Sequence, residues 1–126
     1  MKGNGPTRLI SILESAQREN PSVMGLVLAD RSGLPVADSF RETMDLMAVS
    51  AMSTLILRSA KTVFENLRLK EGGSVILEGE DSVILVRGLT SDLSLILLAD
   101  GDANIGLLNI QIDKVGQALE LLLAEM

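Results

Sequence analysis

A chain of 126 residues suffices for one domain with a real hydrophobic core and is too short for two. Its net charge of −6 and pI of about 4.5 repel phosphate backbones and anionic lipid, and with only Phe40 and Phe64 as aromatics it has little to stack bases on, which makes nucleic acid and membrane surfaces poor partners. Cysteine and histidine are both absent, removing disulfides, thiolate and Cys-based zinc chemistry, and the usual general base.

Apolar residues make up 47% of the chain and mean hydropathy is +0.35. Small domains have much surface to cover, so this excess points to apolar area hidden by another subunit. No run reaches the roughly 18 apolar residues of a membrane helix. The segment from Met1 to Pro6 lacks the apolar stretch of a signal peptide. A cytoplasmic protein without direct membrane insertion is expected.

Residues 1–6, with two Gly and a Pro, read as a flexible tail, and 7–126 as a single domain. Leu9, Ile10, Leu13, Ala16 and Gln17 predict a first helix over 7–19, ended by Asn20-Pro21. Val23 to Ala29 has strand length and is almost wholly apolar. Asp30-Arg31-Ser32-Gly33 then supplies turn chemistry, and a second strand over 34–39 carries Pro35, which suits a sheet edge.

A long helix over about 45–67 follows, with Thr43 or Asp45 as N-cap. Its wheel puts Val49, Met52, Ile56, Ala60 and Val63 on one stripe, expected to face the sheet. The opposite face carries Ser50, Thr54, Arg58, Lys61 and Glu65. Both flanks are apolar: Leu46, Leu57 and Phe64 on one, Ala48, Ala51 and Leu55 on the other. So wide an apolar arc predicts burial on more than one side.

Three strands follow in meander spacing, over 74–78, 82–88 and 93–99. Their apolar runs are continuous, as in strands covered on both faces. A last helix, capped by Asp102 or Asn104, carries the stripe Ile105, Leu108, Ile112, Val115, Leu119 and Leu122. The order α-β-β-α-β-β-β-α predicts an α/β (α+β) fold with one five-stranded antiparallel sheet. The central helix would cover one face and the terminal helices the other, leaving the flanks of the central helix for its twin in a second copy.

No motif carries chemistry of its own. Asp100-Gly101-Asp102-Ala103-Asn104 begins like a calcium loop but has Ile105 and Gln111 where the loop needs Gly and Glu, so a capped helix start explains it better. Gly72-Gly73-Ser74 precedes a strand, not a helix, and reads as a linker turn instead of a phosphate cradle. Glu78, Glu80 and Asp81 belong to a hairpin tip, without the burial that catalytic carboxylates need. The serines have neither histidine nor a Ser-x-x-Lys spacing to activate them. Arg58 and Lys61 could bind an acidic partner or reach a nucleotide in trans, although a solvated face with a Lys61–Glu65 pair accounts for them more simply. Met47, beside that polar face, could serve a Met-type binding groove. A ligand-sensing module of profilin-like or PAS-like architecture would need an internal cavity, against which the bulky Ile, Leu and Val strands argue.

Taken together, the hairpin Val27-Leu28-Ala29-Asp30-Arg31-Ser32-Gly33-Leu34-Pro35-Val36-Ala37, the turn Glu78-Gly79-Glu80-Asp81 and the segment Asn104-Ile105-Gly106-Leu107-Leu108 resemble the Roadblock / dynein light chain family, over about 7–126. The resemblance implies a profilin-like sandwich that forms homodimers, or heterodimers with another Roadblock protein, through the central helix and third strand. The implied interface residues are Leu46, Ala48, Ala51, Leu55, Leu57, Phe64, Ser74, Val75 and Ile76. Candidate partner-binding residues are Met47, Ser50, Thr54, Arg58 and Lys61. The family implies a bacterial or archaeal type regulator or scaffold of a small Ras-like GTPase, some members promoting hydrolysis, with no cofactor, metal or catalytic residue of its own. A structural adaptor in a motor- or trafficking-type assembly is the alternative.

Overall fold

The computed structural model describes residues 4–70, 72–90 and 92–126. Its elements are α1 (Asn4–Glu19), β1 (Val23–Ala29), β2 (Pro35–Phe40), α2 (Leu46–Asn66), β3 (Ser74–Glu78), β4 (Ser82–Gly88), β5 (Ser94–Asp100) and α3 (Ile105–Glu125). The predicted order holds. Helix α1 begins at Asn4, so residues 4–6 belong to the helix and not to a tail; Pro6 fits the first turn, where a missing N–H costs no hydrogen bond. Residues 1–3 lie outside the described residues.

The strands form one antiparallel sheet in the order β2-β1-β5-β4-β3. The first strand therefore sits beside the last, and the edges are β2 and β3. Pro35 opens edge strand β2 next to a register shift at Leu28/Ala29, where a lost donor harms no ladder. In the β1–β2 turn, Asp30 Oδ1 accepts from the backbone N–H of Ser32 (2.9 Å) and Leu34 (3.0 Å), and Gly33 takes φ +85.

Alternation along the strands splits the apolar residues between two layers. Leu26, Leu28, Leu85, Leu95 and Leu97 meet Leu9 and Leu13 of α1 and Leu108, Ile112 and Leu119 of α3. Val27, Ala29, Val86 and Ile96 face the other way, toward α2. This double cover is why β1, β4 and β5 read as unbroken apolar runs, whereas edge strand β3, expected to be covered likewise, leaves Ile76 and Leu77 exposed. Ile10, expected in the α1 stripe, is exposed; Leu9, Leu13 and Ala16, with Ile12 at the side, make the contact with the core.

Buried amides tie α3 to α1 and α1 to the sheet. Gln111 Nε2 donates to Ala16 O (2.6 Å), and Gln17 Nε2 to Met24 O (2.9 Å), satisfying groups that would be costly to bury unpaired. Asp45 caps α2, its Oδ1 accepting from Ala48 N (3.1 Å). Asn104 caps α3, accepting from Leu107 N (3.1 Å), so the calcium-like segment is a helix start.

Candidate functional site

Helix α2 is rotated from the phase its wheel suggested. Leu46, Val49 and Leu57 pack on Val27, Ala29, Val86 and Ile96, with Ser50 (0% exposed) and Ser53 buried between them. Met52 and Val63, expected against the sheet, are 64% and 55% exposed. The physical reason is the close approach of helix to sheet. Small serines fit beneath the helix axis where Met52 would not, and Leu57 Cδ2 comes within 3.3 Å of where a Cβ on Gly88 would stand. Leu46 and Leu57, expected on a free flank, thus pack on the chain's own core. Phe64 shares their angular position and is half-buried.

Ser50, expected on the polar face as a partner-binding residue, instead points inward, and its Oγ is a buried hydroxyl without a hydrogen-bond partner among the described residues. An orphaned hydroxyl loses hydration without compensation, and Ser is a poorer helix former than Ala. Ser50→Ala is therefore expected to raise unfolding stability by about 1 kcal/mol in a urea titration; a loss of stability would contradict the placement of this side chain.

One flank of α2 borders a groove at the sheet end where β1, β4 and β5 meet their loops. Thr54, Leu57, Arg58 and Lys61 from the helix face Arg31 of the β1–β2 turn, Gly72 and Gly73 before β3, and Gly88, Leu89, Asp92 and Leu93 around the β4–β5 turn. Three of the five candidate partner-binding residues, Thr54, Arg58 and Lys61, are brought together here. Ser50 is not, and Met47 is exposed on the helix outside the groove. Among the described residues the ion pairs are Arg8–Glu125, Arg31–Asp92, Arg87–Asp113 and Lys114–Glu19, so the expected Lys61–Glu65 pair does not form.

The opposite flank, half a turn round the helix, carries Met52, Ile56 and Val63. It turns toward the other end of the sheet, where paired residues Phe40, Gly25, Leu98, Ile84 and Leu77 form a row across all five strands. Within that row Leu98 and Ile84 are only half-buried, and Leu77 at the β3 edge is 37% exposed. Helix and sheet here make an apolar corner that none of the described residues covers. Leu55, 60% exposed, continues the corner onto the outer surface of the helix beside Ala48 and Ala51. Ser74 and Val75 are half-buried, while Ile76 is exposed on the α1/α3 side of β3. Sequence reading missed Met52, Val63, Leu77, Ile84 and Leu98; for the last three the signal lay in pairing register, which the chain order alone does not give.

No protein-family model and no curated protein matches this sequence. Solved structures do match. MglB from Myxococcus xanthus superposes with a TM-score of 0.85 at 13% identity, covering 95% of this chain and 98% of that one. The gliding protein MglB from Thermus thermophilus gives a TM-score of 0.86 at 18% identity, with 97% and 93% covered. A Roadblock/LC7 domain from Streptomyces avermitilis gives 0.78 at 17% identity, with 91% and 97% covered. This chain has the Roadblock/LC7 fold. Within the Roadblock/LC7 fold, the uncovered corner falls on the central helix and the third strand, the two elements from which the resemblance implies self-association. None of the described helices is long and apolar enough to cross a membrane.

Proposed function

We propose that this protein is a Roadblock-family module, without enzymatic activity of its own, that forms a dimer and in that form scaffolds or regulates a small Ras-like GTPase in the cytoplasm. The observation that carries the reading is the apolar corner between α2 and the end of the sheet. A soluble monomer gains nothing from leaving Met52, Leu55, Val63, Leu77, Ile84 and Leu98 wet together. The corner adjoins edge strand β3, which among the described residues pairs only with β4 and so presents a free row of backbone donors and acceptors. A second copy rotated about a two-fold axis supplies both missing pieces: a β3 to extend the sheet and an α2 to fill the corner. A heterodimer with another Roadblock protein would satisfy the same surfaces.

The paired α2 helices would then display their remaining outer residues, among them Met47, Thr54, Arg58 and Lys61, on one side of a ten-stranded sheet. That composite surface is the docking platform for the GTPase. Light scattering is expected to return the mass of two chains. Titration with small GTPases, each loaded with GDP or a non-hydrolysable GTP analogue, is expected to give a complex with one of them and a change in its hydrolysis rate. Stable partners in co-purification that never include a nucleotide-binding protein would replace this reading with that of a structural adaptor.

A further inference from the structure

The cationic groove on the other flank of α2 is a separate feature from the apolar corner, and we infer that it binds a phosphorylated small molecule of about mononucleotide size. Three observations converge. First, among the described residues its lining holds Arg31, Arg58 and Lys61 against one carboxylate, Asp92, in a chain whose net charge is −6. A cleft of one sign in a protein of the other concentrates counter-ions locally and is not explained by bulk charge. Arg31 reaches Asp92 only at 3.9 Å, with both side chains largely in solvent, so that pair leaves the field of the cluster mostly uncancelled.

Second, the groove has a volume of about 480 Å³, within the range of roughly 300–1,000 Å³ usual for small-molecule sites. Its floor is apolar: Leu57 and Leu93 are half-buried and Leu89 is buried. The cations sit on Arg31 of the turn and on the helix flank. An amphiphilic anion fits this division, with a flat or apolar body over the leucines and its phosphate among the guanidinium forks and the ammonium.

Third, Gly72 lines the wall with open space where a Cβ would stand, which lets a ligand approach the backbone there, while Arg87 and Leu57 pack over Gly73 and Gly88. The Gly72-Gly73 pair means little as a sequence motif before a strand. The fold gives it meaning by setting it opposite Arg58 and Lys61, residues far from it on the helix. An extended acidic peptide fits less well, because β1, β4 and β5 reach the groove by their ends and offer no strand edge to pair with.

The test uses the isolated full-length protein, so that its failure leaves the proposed GTPase partnership untouched. Calorimetric titration with pyrophosphate, ADP and GDP is expected to show saturable binding at one site per chain, with a dissociation constant below about 1 mM. Amide NMR shifts should map it to Gly72, Gly73 and Gly88. The double variant Arg58→Ala/Lys61→Ala should weaken binding at least about tenfold, and added salt should weaken it too, whereas Arg8→Ala on α1 should not. Tighter binding of a nucleotide than of pyrophosphate would assign the leucine floor to the base. Equal binding would assign the site to the phosphates alone. Absence of saturable binding by all three probes, or binding indifferent to the double variant, overturns the proposal. So does a glutamate-rich peptide that binds through Arg58 and Lys61 where pyrophosphate does not.

Discussion

Leu55→Asp is expected to leave folded single chains in solution, whereas Leu57→Asp, two residues along, is expected to lose the fold. Two residues on a helix are about 200° apart, and the pair falls on opposite sides of α2. Leu55 is largely exposed in one chain, so a carboxylate there stays hydrated and costs the monomer little. In a dimer built on the α2 flank it would be buried, unpaired, and present twice by symmetry, at several kcal/mol per copy. With about 1.4 kcal/mol for each factor of ten, the dissociation constant should rise at least about 10³-fold. Leu57 instead packs on Val27, Ala29, Val86 and Ile96. Replacing it with Asp removes that packing and buries a charge inside the protomer, a large share of the roughly 5–15 kcal/mol that holds a domain together. Light scattering and urea unfolding separate the two outcomes. A Leu55→Asp protein that remains dimeric at micromolar concentration would remove the α2 flank from the interface.

That contrast also marks where the sequence is readable. Element order and type follow from local signals: the Asn20-Pro21 break, the Asp30–Gly33 turn, the Asp45 and Asn104 caps, and, for β1, β4 and β5, strand runs too continuous to be half-exposed. Strands β1, β3 and β4 fall on the residues expected. The single sheet follows because every apolar stripe then finds a layer.

The phase of α2 does not follow, for a physical reason. A wheel ranks faces by polarity, yet the buried face of this helix carries Ser50 and Ser53, chosen by size at a close helix–sheet contact, and an exposed face carries Met52, Leu55 and Val63. With apolar residues on nearly every side, hydrophobicity cannot say which arc meets the chain's own sheet and which stays outside it. The groove was illegible for another reason. Arg31, Lys61, Gly73 and Asp92 are scattered along the chain and are assembled only because three strands end at one place.

The row that floors the apolar corner depends on one glycine. Gly25 pairs with Phe40 on β2 and Leu98 on β5, and the Phe40 ring lies over it in the space a Cβ would take. The ring in turn packs on the α2-facing core. A glycine in mid-strand weakens the strand unless a neighbour's ring covers it, which is the arrangement here. Gly25→Val must therefore drive the ring into solvent or displace edge strand β2. Overpacking costs roughly 1–3 kcal/mol and exposing a phenylalanine roughly another 1.5–3, so a loss of about 3–5 kcal/mol is expected in urea unfolding. Phe40→Ala alone should also destabilise, by emptying the space above Gly25. The decisive measurement is the double variant. With the ring gone, valine at position 25 has room and covers the bare backbone, so the combined loss should fall short of the sum by at least about 1 kcal/mol, a coupling typical of residues in contact. Strictly additive losses would mean that the clash between ring and side chain is not what makes glycine necessary at this position.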